Sequence, residues 1–365
     1  MQPVTDELFM SLAIGLAERG RGRTSPNPVV GAVVVQRDGV VVGRGAHEFA
    51  GGPHAEIHAL REAGDRARGA TLYCTLEPCC HTGRTGPCAP EVVKAGIARV
   101  VVAMPDPNPL VAGGGIRMLE AAGIDVTIGV LAEQAEAQNR PFVTLMRRRR
   151  PLVTMKVAMS ADRRVASGPG VRTPLTGKEA NRVVHRERAE VDAIAVGSGT
   201  VLADDPRLTA RLVYRERPLL RVVFDRRLRT PASAALFSTL EAGPVIIVST
   251  PSAAATVEDR RRVLESAGAR VELVDDEDPI GGLLTCLGAV GVTSLVVEGG
   301  PTLHRAFWDA DVVDRIELFV TPQTLGREGL PWLPLERLAS ATLTGVTARP
   351  LGADIMIEAY VHRVD

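Results

Sequence analysis

The sequence predicts an α/β protein built from two tandem domains. Three observations carry that reading. Short β-branched runs alternate with helical stretches through both halves of the chain. The 365 residues suit two domains at roughly 150 residues each. A run of four arginines closed by proline, Arg147 to Arg150 and then Pro151, marks the division.

The elements follow in order. Helical periodicity covers residues 6–19. Residues 29–35 and 40–42 are β-branched runs on either side of the turn Arg37-Asp38-Gly39. A helix is expected over 54–63, a strand over 70–75, and a helix over 91–95 that stops at Gly96. Residues 100–103 read as a short buried strand, 115–122 as a helix stopped by Gly123, and 125–129 as a strand. After the arginines, strands are expected over 152–158, 193–196, 219–224, 244–249, 294–297 and 316–320. Helices are expected over 178–189, 256–267 and 302–310. The two halves show no internal repeat.

Composition narrows the function. Apolar residues make up 45% and charged residues 24%, as in ordinary soluble domains. The formal net charge is zero and aromatics are only 3%, so the basic, stacking footprint of a nucleic-acid binder is missing. A small-molecule substrate is expected. No apolar run reaches the roughly 18 residues of a membrane span. Asp6 and Glu7 stand where a secretory leader would be basic. A cytoplasmic location is therefore expected, where clustered cysteines serve metal or chemistry more often than disulfides. Cys286, alone near an apolar stretch, reads as a buried inert thiol. The arginine run reads as a solvated linker or helix end rather than a phosphate patch.

The chemistry concentrates in residues 53–88, which hold four of the five cysteines. His54, Cys79 and Cys88 offer one nitrogen and two sulfurs, a set that suits zinc with one open position. Glu56, two residues after His54, is placed to carry protons rather than to ligate. A helix N-terminus carrying Pro78-Cys79 would favour thiolate. His-x-Glu followed by Pro-Cys and a further Cys is the pattern of zinc deaminases. There the metal activates water for attack on the amino-bearing ring carbon, and the glutamate moves protons to ring nitrogen and departing ammonia. Eight residues separate Cys79 from Cys88 instead of the usual two, which leaves Cys80 and Cys74 as rival ligands. Cys74, in a strand, reads as core. His58 pairs with His54 at helical spacing, but Ala55 stands where a metalloprotease needs glutamate. His58 reads as a packed or solvated helix residue.

The segments SPNPVVGAVVV, GAHEFAGGPHAEIHAL, TLEPCCHTGRTGPC and MPDPNPLVAGGGI resemble the deaminase half of the bifunctional riboflavin-biosynthesis deaminase/reductase family. In that family the eight-residue gap is normal. The resemblance implies a cytidine-deaminase-like α/β/α domain over residues 1–146, with zinc on His54, Cys79 and Cys88 and Glu56 as proton shuttle. It implies that Asn27, His47, His81, Arg84, Asp106 and Asn108 face a diaminopyrimidinone carrying a ribosyl phosphate. Asn and Asp suit amide-like ring edges, and His81 with Arg84 suits phosphate. For Asn27 and Asn108 a plain turn beside proline stands equally open.

The second half lacks the Gly-x-Gly-x-x-Gly fingerprint. It has two glycine turns after strands, AIAVGSGT at 193–200 and LVVEGGPTL at 295–303, whose backbone N–H groups suit phosphates. With LVTMKVAMSADRRVAS and GSGTVLADDPRLTAR they resemble the reductase half of the same family. That implies a dihydrofolate-reductase-like α/β domain over residues 151–365 that uses NADPH to reduce ribosyl to ribityl. By residue matching, Ala158, Thr200, Asp204, Gly299, Gly300 and Thr302 hold NADPH. Lys156, Arg172, Arg188, Leu208, Arg211 and Glu298 hold substrate, the arginines by bidentate contact with phosphate. Two departures stand out. The family usually has Ser-Leu-Asp-Gly at Ser160-Ala161-Asp162-Arg163, and often Trp-Ile-Thr at Pro174-Leu175-Thr176. They leave open a deaminase whose reductase half is altered or inactive. A nucleoside or nucleic-acid deaminase would share the zinc pattern, but neutral charge and few aromatics disfavour it. A non-catalytic zinc-binding or NADPH-sensing module would bind the metal and release no ammonia. The expected assembly is a homo-oligomer.

Overall fold

The computed structural model describes residues 5–81, 86–109, 111–339 and 341–362. Two compact units divide the chain, Met1–Arg149 and Arg150–Asp365. Each closes its own apolar core.

The first unit contains α1 (Asp6–Ala17), β1 (Gly31–Val35), β2 (Val41–Ala46), α2 (Ala55–Ala63) and β3 (Thr71–Cys74). It continues with α3 (Cys88–Lys94), β4 (Arg99–Val102), α4 (Gly114–Ala121), β5 (Asp125–Ile128), α5 (Ala132–Gln138) and α6 (Arg140–Arg148). The sheet order is β2-β1-β3-β4-β5. β1 is antiparallel to β2 and β3, and β3, β4 and β5 run parallel. β1 is buried at every residue, which is why it reads GAVVV without alternation. α1 buries Phe9, Met10, Ala13, Leu16 and Ala17 along one stripe, with Asp6 and Glu7 at the positive end of its dipole.

Close packing of α2 on β2 depends on two glycines. A Cβ at Gly43 would lie 2.0 Å from the Ala59 carbonyl oxygen, and one at Gly45 1.9 Å from that of Ala55. Only glycine lets the helix backbone press onto the strand there, and that contact sets the height of the α2 N-terminus.

The second unit begins with β6 (Leu152–Ser160), β7 (Arg164–Ala166), α7 (Lys178–Glu190), β8 (Ala193–Gly197), α8 (Ser198–Asp204) and β9 (Leu220–Phe224). Then come β10 (Val245–Ser249), α9 (Pro251–Ala254), α10 (Glu258–Ser266), β11 (Ala269–Leu273), α11 (Pro279–Ala289) and β12 (Ser294–Val297). It ends with α12 (Pro301–Asp309), β13 (Arg315–Thr321), β14 (Leu330–Pro331), β15 (Thr342–Leu351) and β16 (Asp354–His362), apart from one further short turn of helix. The nine-stranded sheet runs β11-β10-β9-β8-β12-β6-β13-β16-β15. It is parallel from β11 to β13, with an antiparallel β16 and β15 at one edge.

Several expectations are corrected. Pro78-Cys79 does not open a helix: the helix starts at Cys88, behind Pro87. α5, α6, β11, α11 and the β15–β16 hairpin were not anticipated. Cys286 lies exposed on α11, not buried. The arginine run is a helix end as far as Arg148, but Arg150 is not solvated. Its guanidinium holds Asp314 at 2.6 and 3.0 Å in a nearly buried pair.

Two candidate active sites

In the first unit, β2 and α2 present His54 as the residue capping α2, with Glu56 in its first turn and 3% exposed. Cys79 lies in the loop after β3, and Cys88 is the first residue of α3. His54 Nδ1 stands 3.1 Å from Cys88 Sγ and 3.5 Å from Cys79 Sγ. The three donor atoms all lie within 4.8 Å of one another. A tetrahedral zinc with bonds of about 2.0 and 2.3 Å separates nitrogen from sulfur by roughly 3.5 Å, so this set fits the ion. Cys74 is buried in β3, and Cys80 is outside the group.

The electrostatics suit the donor set. Hydrogen bonding to Cys88, against the cost of burial and with help from His54, pulls the Cys79 thiol down to about 4. Cys88 is pushed up, first by sharing its proton with Cys79 and then by burial. A thiol pulled down beside a nitrogen donor suits a metal ligand, since the thiolate is the form that ligates. Burial pushes the Glu56 carboxyl up to about 7, against the pull of His54. That suits a group that both takes and gives a proton.

A cleft of about 260 Å³ opens over this nest, lined by Asn27, His47, His54, Glu56, Cys79, His81, Asp106 and Asn108. His47 donates from Nδ1 to the Pro53 carbonyl at 3.1 Å, and Asn27 Nδ2 donates to its Nε2 at 3.2 Å. Burial lowers the His47 imidazole below its ordinary value, against its bond to the Pro53 carbonyl. Asp106 is pushed up to about 6, chiefly by burial. His81 Nδ1 is buried with no hydrogen-bond partner. Arg84 lies outside the described residues.

Three residues in or around this cleft were not anticipated. Glu77 and Phe142 line it. Asn139, 2% exposed, clamps Val29 by its Oδ1 and Nδ2, both at 2.9 Å, and so fixes the loop that carries Asn27. Glu77 had one weak signal, a charge before proline three residues past the end of β3, which marks a loop but not its contacts.

In the second unit, a cleft of about 730 Å³ is lined by Lys156, Ala158, Thr200, Asp204, Glu298, Gly299, Gly300 and Thr302. An adjacent cleft of about 850 Å³ is lined by Arg172, Arg188, Leu208 and Arg211, and shares Asp204. The residues expected to hold cofactor thus line one cleft. Those expected to hold substrate are divided between the two.

The glycine turns before α8 and α12 face each other: a Cβ at Gly300 would come 4.0 Å from Thr200 Oγ1. Neither helix carries a side-chain cap. Their first-turn N–H groups suit the pyrophosphate of a dinucleotide, so the first cleft fits NADPH. Arg188 grips Glu298 through two bonds of 2.6 and 2.8 Å, with side chains 13% and 8% exposed. Arg211 is lowered by burial and then by Arg188, Arg207 and Arg172. Such crowded cations are relieved by an anion such as a phosphate.

Arg163 sits in a left-handed turn, with φ at 61°, a conformation that favours glycine. Pro174 lines both clefts. Trp332, distant in sequence, lines the cofactor cleft and donates to His304 Nδ1 at 3.1 Å. No local pattern announced it.

Known proteins match both units of the chain. The model for the cytidine and deoxycytidylate deaminase zinc-binding region matches residues 3–104. That for the RibD C-terminal domain matches residues 151–357. Riboflavin biosynthesis protein RibD of Escherichia coli is 43% identical over 346 residues, covering 92% of this chain and 94% of that one. The RibD of Aquifex aeolicus is 42% identical over 325 residues, covering 89% of each. The structure of Acinetobacter baumannii RibD, form 1, superposes with a TM-score of 0.87 at 37% identity, over 98% of this chain and 99% of that one. A Thermotoga maritima structure gives 0.83 at 32% identity over 98% of each. It is described as a diaminohydroxyphosphoribosylaminopyrimidine deaminase/5-amino-6-(5-phosphoribosylamino)uracil reductase.

Proposed function

Because the chain belongs to the RibD family of riboflavin-biosynthesis proteins, we propose that residues 1–146 are its deaminase domain and residues 151–365 its reductase domain. The chain is a bifunctional enzyme, a zinc-dependent pyrimidine deaminase and an NADPH-dependent reductase. Its substrate in this reading is 2,5-diamino-6-ribosylamino-4(3H)-pyrimidinone 5′-phosphate, and its product 5-amino-6-ribitylamino-uracil 5′-phosphate. A cytoplasmic homo-oligomer completes the proposal, and light scattering reports its mass.

In the deaminase cleft, His54, Cys79 and Cys88 would hold zinc, which when bound would supply the Lewis acidity that makes water nucleophilic near neutral pH. Glu56 takes a proton from water and delivers it to the ring nitrogen; it then takes the remaining proton of the added hydroxyl and passes it to the amine, so that the carbonyl forms as the C–N bond breaks and ammonia leaves. A carboxyl poised at about 7 supports both transfers. Asn27, His47, Asp106 and Asn108 hold the ring. His81 and Arg84 take the phosphate arm.

In the reductase clefts, NADPH when bound would supply the hydride needed at C1 of the opened sugar. Ala158, Thr200, Asp204, Gly299, Gly300 and Thr302 hold the cofactor. Lys156 and Glu298 lie at the junction with the ribosyl chain, and Arg172, Arg188 and Arg211 hold its phosphate, with Leu208 packing beside them. No protein nucleophile is needed, so placement carries the step. A deaminase with a silent reductase half is not favoured, since the glycine cradle and the arginine cleft are both intact.

The observation that carries the reading is the His54–Cys79–Cys88 nest opening beside Glu56 into a ring-sized cleft. A coupled assay with the pyrimidine phosphate tests it, following ammonia and NADPH separately. Both signals are expected. Ammonia without NADPH consumption sinks the reductase assignment, and neither signal sinks both.

A further inference from the structure

We propose that Glu77 is the positioning residue that sets substrate affinity in the deaminase cleft, by clamping the loop that carries Asp106 and Asn108. The inference rests on the deaminase reading of that cleft. Glu77 is 3% exposed, and its carboxylate accepts from four backbone amides. Its Oε2 takes the amides of Asp106 at 3.1 Å and Gly113 at 3.0 Å. Its Oε1 takes those of Gly115 at 2.9 Å and Ile116 at 3.2 Å. One carboxylate therefore holds both ends of the 105–116 segment and the first turn of α4.

The clamp passes directly to the recognition residues. Asp106, fixed through its own amide, accepts from the Asn108 amide through Oδ1 at 2.8 Å. The Asn108 carbonyl then accepts from Val111 and Ala112 at 2.9 and 3.0 Å. On the other side, α4 presses on the Glu77–Pro78 backbone so closely that a Cβ at Gly115 would lie 1.8 Å from the Pro78 oxygen. Glu77 thus fixes how far Asp106 and Asn108 stand from the Cys79 loop.

The metal loop has separate support. The Ala89 amide donates to the Cys79 carbonyl at 3.0 Å, and the Cys88 amide to Cys79 Sγ at 3.3 Å. With both oxygens of Glu77 engaged by amides, it moves no proton in the reaction. A carboxylate that accepts from four backbone N–H groups, two of them buried and two half-buried, cannot be replaced by an amide, which offers one oxygen and turns an NH₂ toward two donors.

The test is Glu77→Gln in the full-length zinc enzyme, measured for ammonia release, zinc content and NADPH consumption on the deaminated intermediate. A KM raised tenfold or more is expected, with kcat within threefold, one zinc per chain and an unchanged reductase half. A wild-type KM, a fall in kcat alone, or loss of zinc overturns the proposal. Should the Gln variant not fold, Glu77→Asp keeps the charge with a shorter reach. A KM raised threefold or more then supports the clamp, and a wild-type KM overturns it. A wild-type chain that releases no ammonia overturns the deaminase reading itself, a different result from a clamp that fails beside an active wild type.

Discussion

Replacing Glu298 with Gln keeps its shape and removes its charge, leaving Arg188 nearly buried without its counter-ion. Two routes give the magnitude. Breaking one partner out of a buried ion pair costs about 3–5 kcal/mol. Independently, burial opposes the Glu298 charge, but Arg188 outweighs it and holds the carboxyl at about 2 against an ordinary 4.5. At about 1.36 kcal/mol per tenfold change in proton affinity, that gap corresponds to about 3 kcal/mol. The folded-state value is depressed, so this stability is present above about 4.5 and lost as pH falls toward 2. Both tryptophans, Trp308 and Trp332, are buried in the second unit, so their fluorescence during urea unfolding reports that unit. At pH 7 the Gln variant is expected to unfold about 1.5 M earlier for a slope of about 2 kcal/mol/M. At pH 3 the gap should shrink to about 1.4 kcal/mol, and the two curves should converge as pH falls to 2 and below. A gap under about 1 kcal/mol at pH 7, or one that persists unchanged at pH 3, refutes the reasoning.

The remaining predictions concern single side chains. Glu56→Gln should lower ammonia release by about 10²–10⁴-fold while zinc, read by atomic emission, stays bound; full activity would remove Glu56 from the proton path. Cys88→Ala should lose zinc, and a fully loaded variant would hand the ligand role to Cys80. Asp204→Ala should impair NADPH consumption and leave ammonia release intact, and loss of both would count against separate sites. Arg163→Gly should raise the urea stability of the second unit by about 1 kcal/mol, because a side chain at φ 61° is strained; no gain would mean that the arginine side chain offsets its own strain.

Elements that bury an apolar face were legible in sequence. β12 was bounded at 294–297, as observed, because its four residues are all buried. What stayed hidden lacked that contrast. α5 reads AEQAEAQ, with little apolar stripe to reveal a helix. β15 is exposed along nearly its whole length, so no hydrophobic alternation marks TLTGVTARPL as a strand. Cys286 misled because α11 is rich in leucine while position 286 faces outward. In the site, His54, Glu56 and Cys79 were readable because their spacing is chemical, while Cys88 needed the family resemblance, since the long gap left Cys80 and Cys74 as rivals. Glu77, Asn139 and Trp332 act through backbone or distant partners, and no local pattern encodes such contacts.

The bond from His47 to the Pro53 carbonyl has a consequence for selectivity. A carbonyl oxygen only accepts, so it fixes the proton on Nδ1 and makes Nε2 a lone pair. That lone pair in turn fixes the amide of Asn27, whose NH₂ must turn inward. The oxygen of Asn27 is the end left for a ligand. A one-way relay of lone pairs, begun at the residue before the first metal ligand, therefore gives this corner of the cleft a permanent sign. In the proposed deaminase reading, a ring edge that donates would meet an acceptor there, and one that offers only lone pairs would not.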